Sequence, residues 1–213
     1  MLTRLLDAVA KRGMDVALAG AGIAVSWPVM ALIAVAISLE DQDSPFYIQE
    51  RIGKDGKPFR LLKFRTMTNR PVGKEGPEIT VGVDPRITKV GQLLRGARLD
   101  ELPQLFNILA GEMSVVGPRP EVARYVAHYS EEQRRVLEVK PGLTDPATLA
   151  YRHEAERLAQ SDAPEQTYIN EIMPEKLAMN LEYLATRNTL SDLRVFLETV
   201  AAVLGDQSEK KHR

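Results

Sequence analysis

Two adjacent carboxylates, Asp100 and Glu101, open the stretch LDELPQL. An acid at a helix start commonly serves as a cap and as a favourable first-turn charge. The same position puts Asp100 among free backbone N–H groups and the positive helix end, which are the groups that bind phosphate. An aspartate there stays ionised, and a phosphoryl group added to it would be stabilised. Both roles fit. In MSVVGPRPEV, Arg119 lies between Pro118 and Pro120, which restrict the backbone on either side. It reads either as an arginine on a rigid surface turn or as a pre-aimed guanidinium for bidentate phosphate binding. Arg86, Arg95 and Arg98 come shortly before the acidic pair. They are salt-bridge partners or holders of a polyanion. In FRLLKFRTM, Lys63 and Arg65 share one strand face and Arg60 takes the other, as alternation requires. A solvated strand face is the competing reading.

These side chains need elements to place them. DELPQLFNILAG reads as a helix starting near Asp100, with Leu102, Leu105, Phe106 and Leu109 on one face. Pro103 is tolerated in the first turn and Gly111 suits the end. FYIQERI and FRLLKFRTM read as two strands joined at Asp55-Gly56, a hairpin signal. Residues 69–85 read as a loop. Ser130 and Gln133 form a capping box for a further helix. PEKLAMNLEYLATR and LSDLRVFLETVAAVLG supply two late helices. The stripe Leu193, Phe196, Leu197, Val200 and Leu204 in the last one reads as a core face rather than a membrane face. Residues 206–213, DQSEKKHR, read as a charged disordered tail.

Upstream lies an uncharged run, Val16 to Leu39, preceded by a short amphipathic lead-in over residues 1–15. About 20 apolar residues cross a bilayer. Yet Ser26, Trp27 and Pro28 stand near the middle of the run. Each arm would be about 15–17 Å long, half of a hydrocarbon core of about 30 Å. Pro28 lacks an N–H and pushes on the carbonyl of Ala24. Ser26 can return a hydroxyl one turn back. Lys and Arg flank the run on both sides, which suits two ends on one face. Glu40, Asp41, Asp43 and Trp27 weigh the other way. From these residues alone a kinked span and a re-entrant hairpin are balanced.

The 213 residues carry a net charge of −1, so no global field points to nucleic acid. There is no cysteine, which excludes disulfides, thiolate zinc sites and a cysteine nucleophile. Only His128, His153 and His212 are present, the last in the tail, which argues against a three-histidine metal site. No GxSxG supports a serine triad. The apolar run is too long for a signal peptide and no cleavage site closes it, so it is expected to remain in the mature protein. A membrane insert, an acidic pair and pinned arginines together suit phosphoryl transfer to or from a lipid.

The order QERIG, KPF, LLKFRTM, DPRITKVGQLLR, LDELPQLFNILAGEMSVVGPRPE and KPGLTD closely resembles the bacterial sugar transferase family, the monotopic phosphoglycosyl transferases, over roughly residues 10–150. The resemblance implies an α+β fold, mostly helical. In it a re-entrant membrane helix-break-helix over 1–40 joins a compact cytoplasmic catalytic domain over 41–205 with a small β-hairpin. It implies transfer of a sugar-1-phosphate from a nucleotide sugar, usually a UDP-sugar, to polyprenyl phosphate with release of UMP, the first membrane step of polysaccharide or glycoconjugate assembly. Asp100 would be the nucleophile, passing through a covalent phosphosugar-aspartyl intermediate, with Glu101 as base or orienting carboxylate. Mg²⁺ would bind at Asp100, and Arg119, Arg95 and Lys63 match phosphate-contacting positions. Ser26 and Pro28 match the membrane break. The place implied is the cytoplasmic face of a bacterial inner membrane, in contact with membrane lipid. A homodimer is left open and no nucleic acid is expected.

Two departures stand out. Trp27 directly precedes Pro28 where the family reads Ser-Pro, and PGLTDPATLAYRHE replaces PGITGWAQVNGR, which leaves Thr144–Glu154 without assigned contacts. A cytoplasmic donor then favours the hairpin over the span. Two other readings share these residues: a metal-dependent nucleotide-sugar phosphodiesterase, with water as acceptor, and a membrane-anchored binding module in which Asp100 only caps.

Overall fold

The first element, α1 (Leu2–Asp41), is a 40-residue helix that carries the whole apolar run. In this computed structural model the described residues are 2–68 and 84–210. The loop expected over 69–85 therefore lies largely outside them, as do the last three tail residues. Pro28 is inside α1, and helix continues through Ser26 and Trp27. The expected break into two helices is absent: α1 runs on through Pro28. One lost hydrogen bond is outweighed by its neighbours in so long a helix. Ser26 Oγ donates to the Gly22 carbonyl at 2.7 Å, not to Ala24, whose donor Pro28 removes. Such back-bonding bends helices.

One side of α1 packs inward through Ala19, Met30, Ile33 and Ile37, while Val25, Trp27, Leu32 and Leu39 are exposed. Its flanks are docked by polar contacts. Arg12 donates to the Ile108 and Leu109 carbonyls at 2.7 and 2.9 Å. Asp15 Oδ1 accepts from the Val115 N–H at 2.9 Å. Lys11 pairs with Asp192 at 2.6 Å. At the far end, Glu40 accepts from the Lys89 and Val90 N–H groups at 2.9 and 3.1 Å.

The strands β1 (Phe46–Ile52) and β2 (Pro58–Phe64) form the expected antiparallel hairpin, with Tyr47 opposite Lys63 and Glu50 opposite Arg60. Its turn is a short 3₁₀ segment, Lys54–Gly56, where Asp55 and Gly56 take φ of 58° and 71°. Asp-Gly tolerates such left-handed backbone. The chain continues through α2 (Lys89–Gly96), a 3₁₀ turn (Leu99–Glu101) and α3 (Gln104–Ala110), which ends at Gly111 with φ 85°. The expected helix from Asp100 is thus split, and Pro103 caps α3. Starting four residues later turns its inner face to Leu105 and Ile108, leaving Phe106 and Leu109 exposed.

A two-stranded parallel pair follows, β3 (Ser114–Val116) with β4 (Gly142–Thr144). Between them lie α4 (Ala123–Val126) and a 3₁₀ segment, Gln133–Glu138. The Ser130–Gln133 capping box is reciprocal, at 2.9 and 3.2 Å, but starts this 3₁₀ turn rather than an α-helix. Then come α5 (Pro146–Ala150), α6 (Glu154–Ala159), α7 (Pro164–Thr167), a π turn (Tyr168–Ile172), α8 (Met173–Thr186) and α9 (Thr189–Lys210). The fold is mostly helical with small sheets. The final helix runs past Gly205, so 206–210 are helical where a disordered tail was expected. Its inner side is Asp192, Val195, Phe196 and Thr199, while Leu197 and Val200 are exposed. Polar partners turn the helix away from the expected stripe: Asp192 binds Lys11, and Thr199 meets Thr144 at 2.8 Å.

Candidate active site

Glu101 is the hub. Lys63 reaches it from β2, with Nζ 3.2 Å from Oε1. Arg119 reaches it from the loop after β3, NH1 to Oε2 at 3.1 Å and NH2 to Oε1. All three side chains are half-buried. Burial would raise the Glu101 carboxyl, but the charges of Arg119 and Lys63 win and hold it well below the usual carboxylate range. The Arg119 guanidinium is held above its ordinary value, first by Glu101. Lys63 is lowered, chiefly by burial, against the pull of Glu101.

Asp100 differs sharply from its neighbour. Among the described residues its carboxylate accepts no hydrogen bond and forms no ion pair. Burial first, then the Glu101 charge, pushes its carboxyl up, and Lys63, Arg95 and Arg119 oppose this. Asp100 sits in the 3₁₀ turn, not at a helix cap, so it is held by the turn rather than by a helix end. Arg98 enters that turn with φ 54°, an uncommon conformation for a side chain of this size, of the kind found at functional sites.

Arg95 lies on α2 near this pair. Its Nε donates to Thr66 Oγ1 at 2.8 Å, and Asp100 acts on it electrostatically. Burial lowers Arg95, and Asp100 and Asp84 partly restore it. Gly91 lets α2 sit directly on the segment that follows β2, since a Cβ there would fall 2.1 Å from the Thr66 carbonyl oxygen. Of the other basic candidates, Arg86 is engaged by Asp84 through 3.0 and 2.6 Å bonds. Arg65 pairs with Asp43, and Arg60 is exposed. The fold therefore gathers Lys63, Glu101 and Arg119 into direct contact, with Asp100 and Arg95 beside them.

Sequence reading missed the braces. Asn107 is buried on α3 and ties it to β2, accepting from the Leu62 N–H at 3.0 Å and donating to the Arg60 carbonyl at 2.7 Å. A polar residue among the apolar ones of LFNIL was the available sign. Asp145 accepts from the Arg119 N–H at 2.8 Å and caps α5 through the Thr148 N–H at 2.6 Å. Asp followed by Pro at a helix start was a legible cap signal.

With this geometry in hand, comparison with known proteins defines the class. The bacterial sugar transferase family model matches residues 6–206. The chain belongs to that family and is an enzyme, a phosphoglycosyl transferase. It is 36% identical over 207 residues to the UDP-glucose:undecaprenyl-phosphate glucose-1-phosphate transferase of Caulobacter vibrioides, covering 95% of this chain and 73% of that protein. It is 33% identical over 214 residues to the exopolysaccharide production protein ExoY of Rhizobium meliloti, covering 94% and 88%. Against the UDP-glucose:undecaprenyl-phosphate glucose-1-phosphate transferase of Escherichia coli it is 36% identical over 198 residues, 89% of this chain but 39% of the larger protein.

Proposed function

We propose that this chain transfers a sugar-1-phosphate from a UDP-sugar to polyprenyl phosphate, undecaprenyl phosphate in bacteria, at the cytoplasmic face of the inner membrane. The observation that carries the reading is the asymmetry of the acidic pair. Glu101 is saturated by two cations, while Asp100 beside it has no bonded partner among the described residues and is raised.

Asp100 attacks the phosphorus that bears the sugar, forming a carboxylate–phosphorus bond as the bond to UMP breaks. UMP leaves with the electron pair. A polyprenyl phosphate oxygen then attacks the same phosphorus, and Asp100 departs as carboxylate. The product is a polyprenyl diphosphate sugar. A carboxylate nucleophile divides one transfer into two displacements. Lys63, Arg95 and Arg119 supply fixed positive charge for the phosphate oxygens as negative charge moves between them. Glu101, held strongly ionised, is a poor base. Its part is to hold Arg119 and Lys63 in register for the phosphates.

Mg²⁺ fits this donor set. Among the described residues no three metal-ligating side chains converge, but Mg²⁺ is commonly held by one or two carboxylates with substrate phosphate oxygens and retained waters. Asp100 would hold it, and the ion would offset charge on the diphosphate.

The position of α1 supports a re-entrant insertion around Ser26 and Pro28. Arg12 and Asp15 before the apolar run, and Glu40 after it, dock on the same domain. A span would place about 30 Å of hydrocarbon between those two docking points.

The test is direct. Detergent-solubilised protein is incubated with a panel of UDP-sugars and Mg²⁺, and UMP is measured on adding polyprenyl phosphate. Lipid-dependent release is expected. No release with any donor overturns the reaction, and release indifferent to lipid makes the chain a phosphodiesterase.

A further inference from the structure

We propose that Asp145 is the positioning residue that aims Arg119 at Glu101. The inference rests on the reading of Asp100 and Glu101 as the reacting centre. Pro118 and Pro120 carry no N–H, so the Arg119 N–H is the sole backbone donor across residues 118–120. Asp145 Oδ2 takes it at 2.8 Å. Asp145 is 1% exposed. Its other oxygen, Oδ1, takes the Thr148 N–H at 2.6 Å. Two N–H donors thus meet one side chain from two directions. A carboxylate satisfies both, whereas an amide would turn an NH₂ group against one of them.

Among the described residues two other bonds hold this segment through its proline carbonyls. The Gly142 N–H donates to the Pro118 carbonyl at 2.9 Å, and Arg51 NH1 donates to the Pro120 carbonyl at 3.2 Å. The Pro118 carbonyl and the Arg119 N–H belong to one peptide unit, so Gly142 and Asp145 hold it from its two sides; among the described residues Asp145 is the side chain that does so, and the Arg119 side chain closes on Glu101. A small rotation of that peptide swings a long guanidinium off its target. The charged form of Arg119 is favoured first by Glu101 and also by Asp145 behind it. Asp145 is also where the chain reads PGLTD rather than PGITG, so this tether accounts for one residue of that departure.

The experiment compares Asp145→Asn and Asp145→Ala with the unaltered chain by two readouts. The first is amide hydrogen exchange over residues 117–120, where Gly117 and Arg119 carry the only amides. Faster exchange at Arg119 with unchanged exchange at Val115 and Val116 is expected. The second is UMP release. A fall in kcat of roughly tenfold to a hundredfold is expected, the loss that follows when a supporting group lets a reacting one shift. In an Arg119→Lys background Asp145→Asn should add little, because residues acting through one another are not additive. Unchanged exchange at Arg119 in Asp145→Ala, or full additivity with Arg119→Lys, overturns the proposal. If Asp145→Ala does not fold, the test is carried by the additivity of Asp145→Asn with Arg119→Lys, since the one oxygen that Asn keeps can still take the Arg119 N–H. If the unaltered chain releases no UMP from any donor, the proposed reaction fails, and exchange at Arg119 still decides the tether.

Discussion

Arg119 meets Glu101 with both terminal nitrogens, one to each carboxylate oxygen. Lys63 adds a second cation to Oε1. Removing the carboxylate would leave two half-buried positive groups facing each other. Glu101→Gln should therefore cost about 3 kcal/mol of stability, the scale for breaking a buried ion pair from one side. Urea unfolding measures it. UMP release should fall at least about a hundredfold, because both phosphate-facing cations lose their anchor.

The same pair sets an acid limit. Although burial opposes it, Arg119 and Lys63 hold the folded Glu101 well below its usual value of 4.5. Its stabilisation is therefore fully present above about pH 4.5 and is lost as pH falls toward the folded value. Glu101→Gln should flatten this acid limb of the stability curve. A Glu101→Gln chain with the same dependence below pH 4.5 as the unaltered one would refute the assignment.

Asp100 has the opposite sign. Its folded carboxyl is raised above 3.8 by burial and by Glu101, so ionising it costs stability as pH rises through that window. Asp100→Asn should abolish UMP release yet raise stability at neutral pH by about 1 kcal/mol, as neutralising a strained functional group often does. Thermal unfolding and donor turnover on the same sample check both.

The topology of α1 can be probed in a chain that has no cysteine of its own. Single variants Ala10→Cys and Ser44→Cys place exposed thiols before and after the apolar run. Both should react with a membrane-impermeant reagent from the cytoplasmic face alone. Reaction from opposite faces would establish a span.

Gly117 and Gly142 cross backbone to backbone: a Cβ on Gly142 would fall 2.1 Å from the Gly117 nitrogen. Backbone cannot yield as a flexible side chain does, so Gly142→Ala should cost about 3 kcal/mol or more. A thermal shift of less than a few degrees would show that the crossing is looser than this.

Much of this arrangement was legible from local pattern. The hairpin followed from alternation and Asp55-Gly56, and Lys63, Glu101 and Arg119 do meet. What escaped depends on distant partners. Phe106 and Leu109 match a helical stripe, yet the 3₁₀ turn at Leu99–Glu101 rotates α3 away from it. Asp192 and Thr199 look like surface residues in sequence, but Lys11 and Thr144, far away in the chain, draw them inward. The division of labour between Asp100 and Glu101 likewise depends on Arg119 approaching from another loop.

The helix α1 is held by Arg12 at the end of α3 and by Glu40 at the start of α2. Those two short helices bracket the turn that carries Asp100. On the proposed insertion, the helix in lipid is a spacer with calibrated legs. Its apolar length sets the standoff between the headgroup layer and the nucleophile. Adding or removing one helical turn on either side of Pro28 would tilt that platform and carry Asp100 away from the height at which a lipid phosphate is presented.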